Sequence, residues 1–441
     1  MEKEKDKKKD KKERKPAQGD STHKPNWKEY TATVEDIQNF LMDRVLLRHN
    51  VITRRVEYRE PTPDPFLRKG SVESPSLGEG MGWAPLSDRL VNSLWAELSA
   101  TKRVRVDDVW RVIESDFVPD FHPFRFYLEH LPPWNGEDHI LAMSVTVSVK
   151  GGVEEQMLFA EYLKKWLVGM VAGWVDAEVV NNVILVLIGE QGSYKTTWFS
   201  RLLPPQLQQY FRIKTNSSRM TKDDLLVLSE YGLVCYEELE TMRPSELNQL
   251  KAAVTMPAVD ERRPYGRYTE HRQHIASFCG TGNNMQFLSD PTGNRRWLPF
   301  EVESIEPPQD NPPDYDAIYA QAYALYRQGF RYWFSREEIL RLSEHNSQFE
   351  TPRLESELID VYFRKPQGQE PGEFMPVSRA MHIVGGNTVQ QLSSVRLGRA
   401  FMEQGFRQVR HAHSRGYVVV CRSAEEIKAR MRMLACDDEP F

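Results

Sequence analysis

Nine consecutive residues, GEQGSYKTT at positions 189–197, combine glycines with a lysine and hydroxyl side chains. They follow an apolar run of strand length, Val183 to Ile188, and precede a segment, Trp198 to Leu203, that can continue as a helix. This order predicts a phosphate-binding loop, because backbone N–H groups and a helix N-terminus can surround an anion. Lys195 would reach the β and γ phosphates, and the Thr196 hydroxyl would hold magnesium. The expected nucleotide contacts are Gly189, Gln191, Gly192, Ser193, Tyr194, Lys195, Thr196 and Thr197.

The loop departs from the usual pattern at one position. The pattern G-x-x-x-x-G-K-[ST] has glycine before the lysine, whereas this chain has Tyr194. A side chain is tolerable there only if the loop does not require a backbone conformation reserved for glycine. The alternative is an ordinary strand, turn and helix with a chance Lys-Thr pair, and the sequence context favours the phosphate-binding interpretation.

A second apolar strand, Leu233 to Tyr236, ends directly in the pair Glu237-Glu238. Phosphate cleavage needs one carboxylate to hold magnesium and another to polarise the attacking water. Ligands of open parallel sheets bind at the carboxyl ends of the strands, so the pair is predicted to lie beside the loop. The sequence leaves open which glutamate polarises water, although Glu237 is the expected metal ligand. The alternative is that the acidic run begins a solvated helix.

Two later segments offer further groups for the same chemistry. A short strand, Ile275 to Gly280, ends in Thr-Gly-Asn-Asn, where the amide of Asn283 can orient water and contact the γ phosphate. A turn then delivers Arg295 and Arg296 before the strand Trp297 to Phe300. Paired arginines on a rigid turn suit an arginine finger, which stabilises charge in the transition state of phosphate transfer.

A further segment, DERRPYGRY at residues 260–268, is dense in arginine and tyrosine. Arginine side chains contact phosphates and aromatic rings stack on bases, so a hairpin here predicts single-strand nucleic-acid binding. A charged surface hairpin without a ligand is an equal alternative. The candidate nucleic-acid residues are Arg262, Arg263, Tyr265 and Arg267.

The ordered set GEQGSYKTT, YGLVCYEELE, DERRPYGRY, GTGNN and DPTGNRRWLPF resembles the virulence-associated protein E family. Its members are P-loop ATPases of phages, plasmids and genomic islands, related to the superfamily 3 replicative helicases. The upstream runs LEHLPPWNGEDHI and NVITRRVEY are also similar to that family. The resemblance covers roughly residues 35–300, and its specificity comes from order and spacing that match at five places.

The resemblance implies an α/β fold with a P-loop NTPase core of the AAA+/superfamily 3 helicase-like type. It makes Glu237 and Glu238 the acidic pair and Asn283 the sensor, with Arg295 or Arg296 acting on a neighbouring subunit's nucleotide. ATP and Mg²⁺, DNA and a homo-oligomeric ring such as a hexamer are the implied cofactors and partners. Members often carry or accompany a primase, so a separate primase is a further expected partner. The family usually has glycine in place of Tyr194, which bears on hydrolysis more than on binding.

Composition sets the broader limits. The chain has 441 residues with 40% hydrophobic and 27% charged content, typical of a globular protein of two or three domains. Its net charge is −5, so any basic surface must be local. The four scattered cysteines, the lack of a visible secretory signal and the lack of a long apolar stretch predict a cytoplasmic protein without a membrane segment.

The expected domains follow the composition along the chain. Residues 1–30, a charged tail, are predicted to be disordered. A mainly helical N-terminal domain (31–168), the ATPase core (169–303), a helical connector (304–345) and a C-terminal domain (346–441) come next. In this last domain, two helices followed by a strand pair have the order of a winged helix, with a basic face for DNA. That face would be formed by Arg396, Arg399, Arg407, Arg410 and Arg415. The alternative is a winged helix that serves only as a protein docking module.

Together these patterns predict a nucleic-acid-dependent ATPase, in particular a DNA helicase that serves replication of a phage, plasmid or genomic island. Two alternatives stay open. One is a DNA-binding regulatory protein that uses ATP only to assemble, and the other is an interference factor with the same motor.

Overall fold

The computed structural model describes residues 30–61, 82–215, 222–261, 268–288, 294–350, 354–368, 370–385, 392–411 and 414–437. The predicted disordered tail up to residue 29 and most of the loop at 61–82 lie outside these ranges. The architecture is mixed α/β, as expected. It forms two compact units, one ending at Phe126 and one beginning at Tyr127.

The first unit packs three helices with a four-stranded sheet in the order β3-β2-β1-β4. Thr33 caps the first helix: its Oγ1 accepts the Asp36 N–H, and the Asp36 carboxylate accepts the Thr33 N–H. Strand β1 pairs antiparallel with β2 and parallel with β4. The elements are α1 (Val34–Arg44), β1 (Leu46–Asn50), β2 (Arg55–Arg59), β3 (Ala84–Pro85), α2 (Asp88–Ser99), α3 (Val106–Ile113) and β4 (Asp120–Phe121), followed by α4 (Pro123–Glu129).

The second unit contains a six-stranded sheet in the order β5-β12-β6-β11-β8-β7. Of these strands, β11 (Ser277–Gly282) and β12 (Trp297–Ile305) come last in the chain. Only the edge strand β5 runs antiparallel to its neighbour, and the other four pairings in this sheet are parallel. Strand β6 lies inside the sheet and every one of its residues is buried, which explains its unbroken apolar sequence. The elements up to β8 are α5 (His139–Ser144), β5 (Val147–Val149), α6 (Gly152–Val175), β6 (Ile184–Ile188), α7 (Lys195–Ser200), β7 (Phe211–Lys214), α8 (Lys222–Glu230) and β8 (Leu233–Tyr236).

Later elements complete this sheet and cover it. Strands β9 and β10 form an antiparallel hairpin in which Glu261 pairs with Glu270, as the sequence predicts. The residues that would form the tip of the hairpin lie outside the described ranges. The elements are α9 (Pro244–Val254), β9 (Ala258–Glu261), β10 (Glu270–Gln273), β11 (Ser277–Gly282), β12 (Trp297–Ile305), α10 (Tyr315–Arg327) and α11 (Arg336–Asn346).

Helix α6 is fixed against the sheet by two buried tryptophans. Trp166 Nε1 donates to the Phe278 carbonyl at 3.0 Å, and Trp174 Nε1 donates to the Gly232 carbonyl at 3.3 Å. Each indole therefore buries its ring and still satisfies its only polar group. The domain boundary predicted at residue 168 falls inside this helix. The helix belongs with the sheet because its buried face covers it, whereas a boundary requires an exposed segment.

The C-terminal part of the second unit has its own apolar core. Helices α13 and α14 are followed by the antiparallel strands β15 and β16, in the order that the sequence predicts. Strand β16 also pairs with β13 and β14. The elements are α12 (Leu354–Tyr362), β13 (Phe363–Arg364), β14 (Glu373–Pro376), α13 (Val377–Gly385), α14 (Ser394–Glu403), β15 (Gln408–His411), β16 (Ser414–Cys421) and α15 (Ala424–Asp437). Among the described helices of the whole chain, none is long and apolar enough to cross a membrane.

A buried ion pair joins α6 to the start of α11. Lys165 Nζ lies 2.6 Å from Glu338 Oε1, and Arg331 lies 2.8 Å from the same oxygen. Burial raises the pKa of Glu338, but hydrogen bonds from Lys165 and Ser335 and the nearby positive charges outweigh this effect. The pKa falls from 4.5 to about 2. The folded state therefore holds this carboxylate ionised at pH values where the unfolded chain protonates it.

This ion pair should make the free energy of unfolding depend on pH. Because the folded pKa of Glu338 is depressed, its contribution is full above about pH 4.5 and is lost as pH falls toward about 2. Between about pH 6 and about pH 3, wild type should lose roughly 1 kcal/mol more unfolding free energy than Glu338→Gln, after allowance for solvent screening. Urea unfolding at a series of pH values measures the difference, and Glu344→Gln on the same helix is the matched control. Parallel pH curves for wild type and Glu338→Gln would contradict the assignment.

Candidate functional site

The glycine loop after β6 is closed by Lys195, the first residue of α7. Lys195 Nζ donates to the carbonyls of Gly189 (2.7 Å) and Glu190 (2.6 Å) and to Ser193 Oγ (3.1 Å). Burial lowers the pKa of Lys195, while the negative charges of Glu240 and Glu190 oppose this shift. An anion that entered the loop would replace neutral acceptors of Lys195 with charged ones, which bind an ammonium group more strongly.

Glycine is required at two points of this loop. A Cβ at Gly189 would stand 3.1 Å from the Val302 carbonyl oxygen on β12, and Gly192 has a φ of +84°. Gly189 N also donates to the carbonyl of Gly282 at the end of β11 (3.1 Å). Of the other predicted contacts, Gln191 is exposed, and Thr197 lies in the first turn of α7 with its carbonyl bonded to Ser200 Oγ.

Tyr194 adopts the backbone conformation that the usual glycine would adopt. Its φ is 61° and its ψ is 10°, in the left-handed region, and its side chain is 41% exposed. The loop therefore does use a conformation that suits glycine, and a tyrosine occupies it at a cost of order 1 kcal/mol or more.

Tyr194→Gly should relieve this strain. We expect the glycine variant to be more stable than Tyr194→Ala by about 1 kcal/mol, since alanine keeps the Cβ that opposes a positive φ. Both variants lack the ring, so their difference isolates the backbone term. Guanidinium unfolding of the two variants measures it. A glycine variant that is less stable than the alanine variant would show that position 194 carries no strain.

Thr196 and Glu237 meet beside the loop. Thr196 Oγ1 donates to Glu237 Oε1 at 2.9 Å, across from α7 to the carboxyl end of β8. A hydroxyl and a carboxylate oxygen at this separation are hard oxygen ligands of the kind Mg²⁺ prefers, and the ion usually completes its octahedron with substrate phosphates and water. Thr196 and Glu237 therefore fit a magnesium site that a bound nucleotide would complete. The neighbouring Glu238 is exposed and left-handed, with φ 52°.

Asn283 follows β11, the strand that lies between β6 and β8. Its backbone N and its Nδ2 both donate to Glu240 Oε1, each at 3.1 Å. Sequence reasoning selected Asn283 but missed Glu240. The only signal for Glu240 was its position in the same acidic run, three residues beyond Glu237.

Arg295 and Arg296 lie at the amino ends of the parallel strands, whereas the loop lies at their carboxyl ends. They immediately precede β12, whose first residue, Trp297, pairs with Ile184 at the start of β6. The glycine loop follows Ile188 at the other end, roughly 13 Å away along the strand at 3.3 Å per residue. Both arginines line a cavity of about 440 Å³. Its other walls include Glu178, Asn182, Thr255, Tyr332, Trp333 and Phe334.

The structure thus brings the loop, Thr196, Glu237 and Asn283 together at the carboxyl ends of the parallel strands. The two arginines lie at the amino ends. The predicted nucleic-acid residues Arg262, Arg263, Tyr265 and Arg267 lie outside the described ranges, between the described strands β9 and β10.

Residues 128–351 match the model of the virulence-associated protein E-like domain, which covers half of the chain. The chain belongs to the virulence-associated protein E-like family. The VapE-like domain contains the whole sheet with its loop, acidic strand, Asn283 and both arginines. The family expected from the sequence is confirmed.

Solved structures similar to this VapE-like chain include the apo structure of the NrS-1 C terminal region, 12% identical with a TM-score of 0.47. The match covers 87% of this chain and 98% of that one. The A form apo structure of the same region has the same identity and coverage with a TM-score of 0.43. A likeness of this extent carries no information on activity. A comparison with curated protein sequences found no match.

Proposed function

We propose that this VapE-like protein is a nucleic-acid-dependent ATPase with a P-loop core, and a DNA helicase in the replication of a phage, plasmid or genomic island. The observation that carries the proposal is the meeting of Lys195, the Thr196–Glu237 pair and Asn283 at the carboxyl edge of one parallel sheet. These are the groups that phosphate transfer requires: a cation for the phosphates, ligands for magnesium and a polar group for water.

Each group has a role that follows from its place. Lys195 binds the β and γ phosphates of ATP, and the loop amides from Gly189 to Thr197 surround them. Thr196 and Glu237 hold Mg²⁺, which neutralises charge on the β and γ phosphate oxygens when it is bound. The side-chain amide of Asn283 orients the attacking water and contacts the γ phosphate.

The position of Arg295 and Arg296 supports action between subunits. Within one chain the sheet separates them from the loop, so an arginine that contributes to hydrolysis would act on the nucleotide of a neighbouring copy. An interface that joins the carboxyl ends of the strands in one copy to the amino ends in the next copy is heterologous. Such interfaces form a closed ring when the rotation between copies permits it. The glutamates around the loop and the arginines at the other edge are electrostatically complementary for such an arrangement.

Two basic regions are the proposed DNA contacts. In the C-terminal part, whose helix and strand order supports a winged helix, all five predicted arginines are exposed: Arg396, Arg399, Arg407, Arg410 and Arg415. The hairpin of β9 and β10 supports the second contact, because the Arg-rich sequence connects its two strands along the chain. A separate primase remains a proposed partner on the family resemblance alone.

Steady-state ATP hydrolysis by the purified chain, with and without single-stranded DNA, tests the proposal. Turnover that rises with DNA supports the motor, and strand displacement on a forked duplex then tests unwinding. Tight ATP binding without turnover under both conditions would overturn it. That outcome would favour the alternative function, a DNA-binding regulatory or interference protein that uses ATP for assembly, which the strained Tyr194 in the loop supports.

A further inference from the structure

The two carboxylate oxygens of Glu240 have different environments. Oε1 accepts both hydrogen bonds from Asn283. Oε2 is buried and has no hydrogen-bond partner among the residues that the structure describes. A buried carboxylate oxygen without a donor is costly, because it has lost its water without gaining a replacement. The fold therefore holds one acceptor that is oriented by Asn283 and that receives no donor from the described residues.

Oε2 lies beside Gly282, the last residue of β11. A Cβ at Gly282 would stand 3.0 Å from it, so any larger residue there would displace this oxygen by a few tenths of an ångström. The carbonyl of Gly282 accepts the Gly189 N–H from the loop. The charge of Glu240 also acts on Lys195. The orphaned oxygen is thus part of the same edge of the sheet as the phosphate-binding groups.

The other two glutamates are placed differently. Glu237 Oε1 is already bonded to Thr196, the partner expected of a magnesium ligand. Glu238 is exposed, and its left-handed backbone begins the turn Leu239–Thr241, which brings Glu240 back toward Asn283. Glu240 therefore differs from both, because it combines an oxygen bonded to Asn283 with a buried oxygen that has no partner among the described residues.

We infer that Glu240 is the carboxylate that orients and polarises the attacking water, and that Asn283 is its positioning residue. This inference rests on the proposed ATPase function. The water donates one hydrogen to Glu240 Oε2 while its oxygen attacks the γ phosphorus of ATP. As the new P–O bond forms, the bond from the γ phosphorus to the bridging oxygen breaks, and its electron pair stays on ADP. The proton moves to Oε2 and then passes to solvent.

Glu240→Gln tests the assignment with little change of shape, because the amide oxygen can still accept the bonds from Asn283. We expect ATP turnover to fall by at least about a hundredfold. Binding of a fluorescent ATP analogue should stay within about threefold of wild type, since the lost interaction belongs to the transition state. Thermal unfolding should be unchanged or higher, because an NH₂ group replaces an unpaired buried oxygen. Asn283→Ala should lower kcat with little change in KM.

One control variant and the pattern of outcomes separate the interpretations. Glu246→Gln, on the helix after the turn, should behave as wild type. A loss of turnover confined to Glu238→Gln, or turnover of Glu240→Gln within about threefold of wild type, would overturn the inference while leaving the ATPase intact. A joint loss of ATP binding and thermal stability in Glu240→Gln would make its role structural and would also overturn the inference. If wild type itself does not hydrolyse ATP, the proposed function and this inference fail together.

Discussion

Lys195→Ala is expected to reduce ATP turnover by on the order of a thousandfold, because it removes the ammonium group that would bind the charge developing on the phosphates. The loss should appear with and without single-stranded DNA, since it concerns the chemistry and not its stimulation. Affinity for ATP should fall as well, because Lys195 would also contact the phosphates of ATP in the ground state. Steady-state hydrolysis and titration with a fluorescent ATP analogue measure the two effects.

The controls for this variant address its structural contacts. Lys195 bonds two loop carbonyls, so circular dichroism and thermal unfolding should first establish that the sheet is intact. Lys428→Ala, at an exposed position on α15, removes a lysine far along the chain and should leave turnover unchanged. Turnover of Lys195→Ala within about tenfold of wild type would place the phosphate site elsewhere.

The second large effect concerns the arginines at the opposite edge. Arg295→Ala together with Arg296→Ala should lower turnover by about a thousandfold or more, as loss of an arginine finger does in other phosphate-transfer systems. Affinity for ATP should change little, because these side chains would act mainly in the transition state. Arg111→Ala, a mostly exposed arginine of the first unit, is the control and should leave hydrolysis unchanged.

Mixing two inactive variants tests whether the arginines act between subunits. In an equal mixture of Lys195→Ala and the double arginine variant, about a quarter of the interfaces would join an intact loop to an intact arginine pair. Turnover should therefore recover to a measurable fraction of wild type. If neither variant is active alone and the mixture stays inactive under conditions where copies exchange, the arginines do not act across an interface.

Much of this site could be predicted because its signals are local. The fully apolar run of β6 permits only a strand buried on both faces, and the glycines after it mark the loop. The acidic pair and Asn283 were expected at the carboxyl ends of β8 and β11, and the parallel order of the strands brings those ends together. The register of β12 with β6 was not accessible, since it depends on contacts between distant segments. The opposite placement of the arginines could therefore not be derived from spacing.

Two features could not be predicted from the sequence for physical reasons, namely the position of Glu240 beside Asn283 and the packing of α6 on the sheet. A carboxylate directly after a strand is an obvious candidate, but the left-handed backbone of Glu238 redirects the chain so that the third glutamate faces Asn283. A positive φ at a non-glycine residue has no reliable local signal. From the sequence, helix α6 is assigned to a helical domain, because its apolar residues do not show which part of the protein they pack against. Only the bonds of Trp166 and Trp174 to the sheet show that it belongs there.

The separation of loop and arginines on opposite edges has a consequence for how activity would scale with the amount of protein. If the arginines act between copies, an open row of copies would end in one loop that lacks an arginine partner, and a lone copy would have no complete site. Dilution would therefore remove complete sites, and the rate per molecule would decline as rows shorten. Closure into a ring would remove the unpaired end. A nucleic acid that gathers copies along one strand would therefore activate hydrolysis by completing the ring.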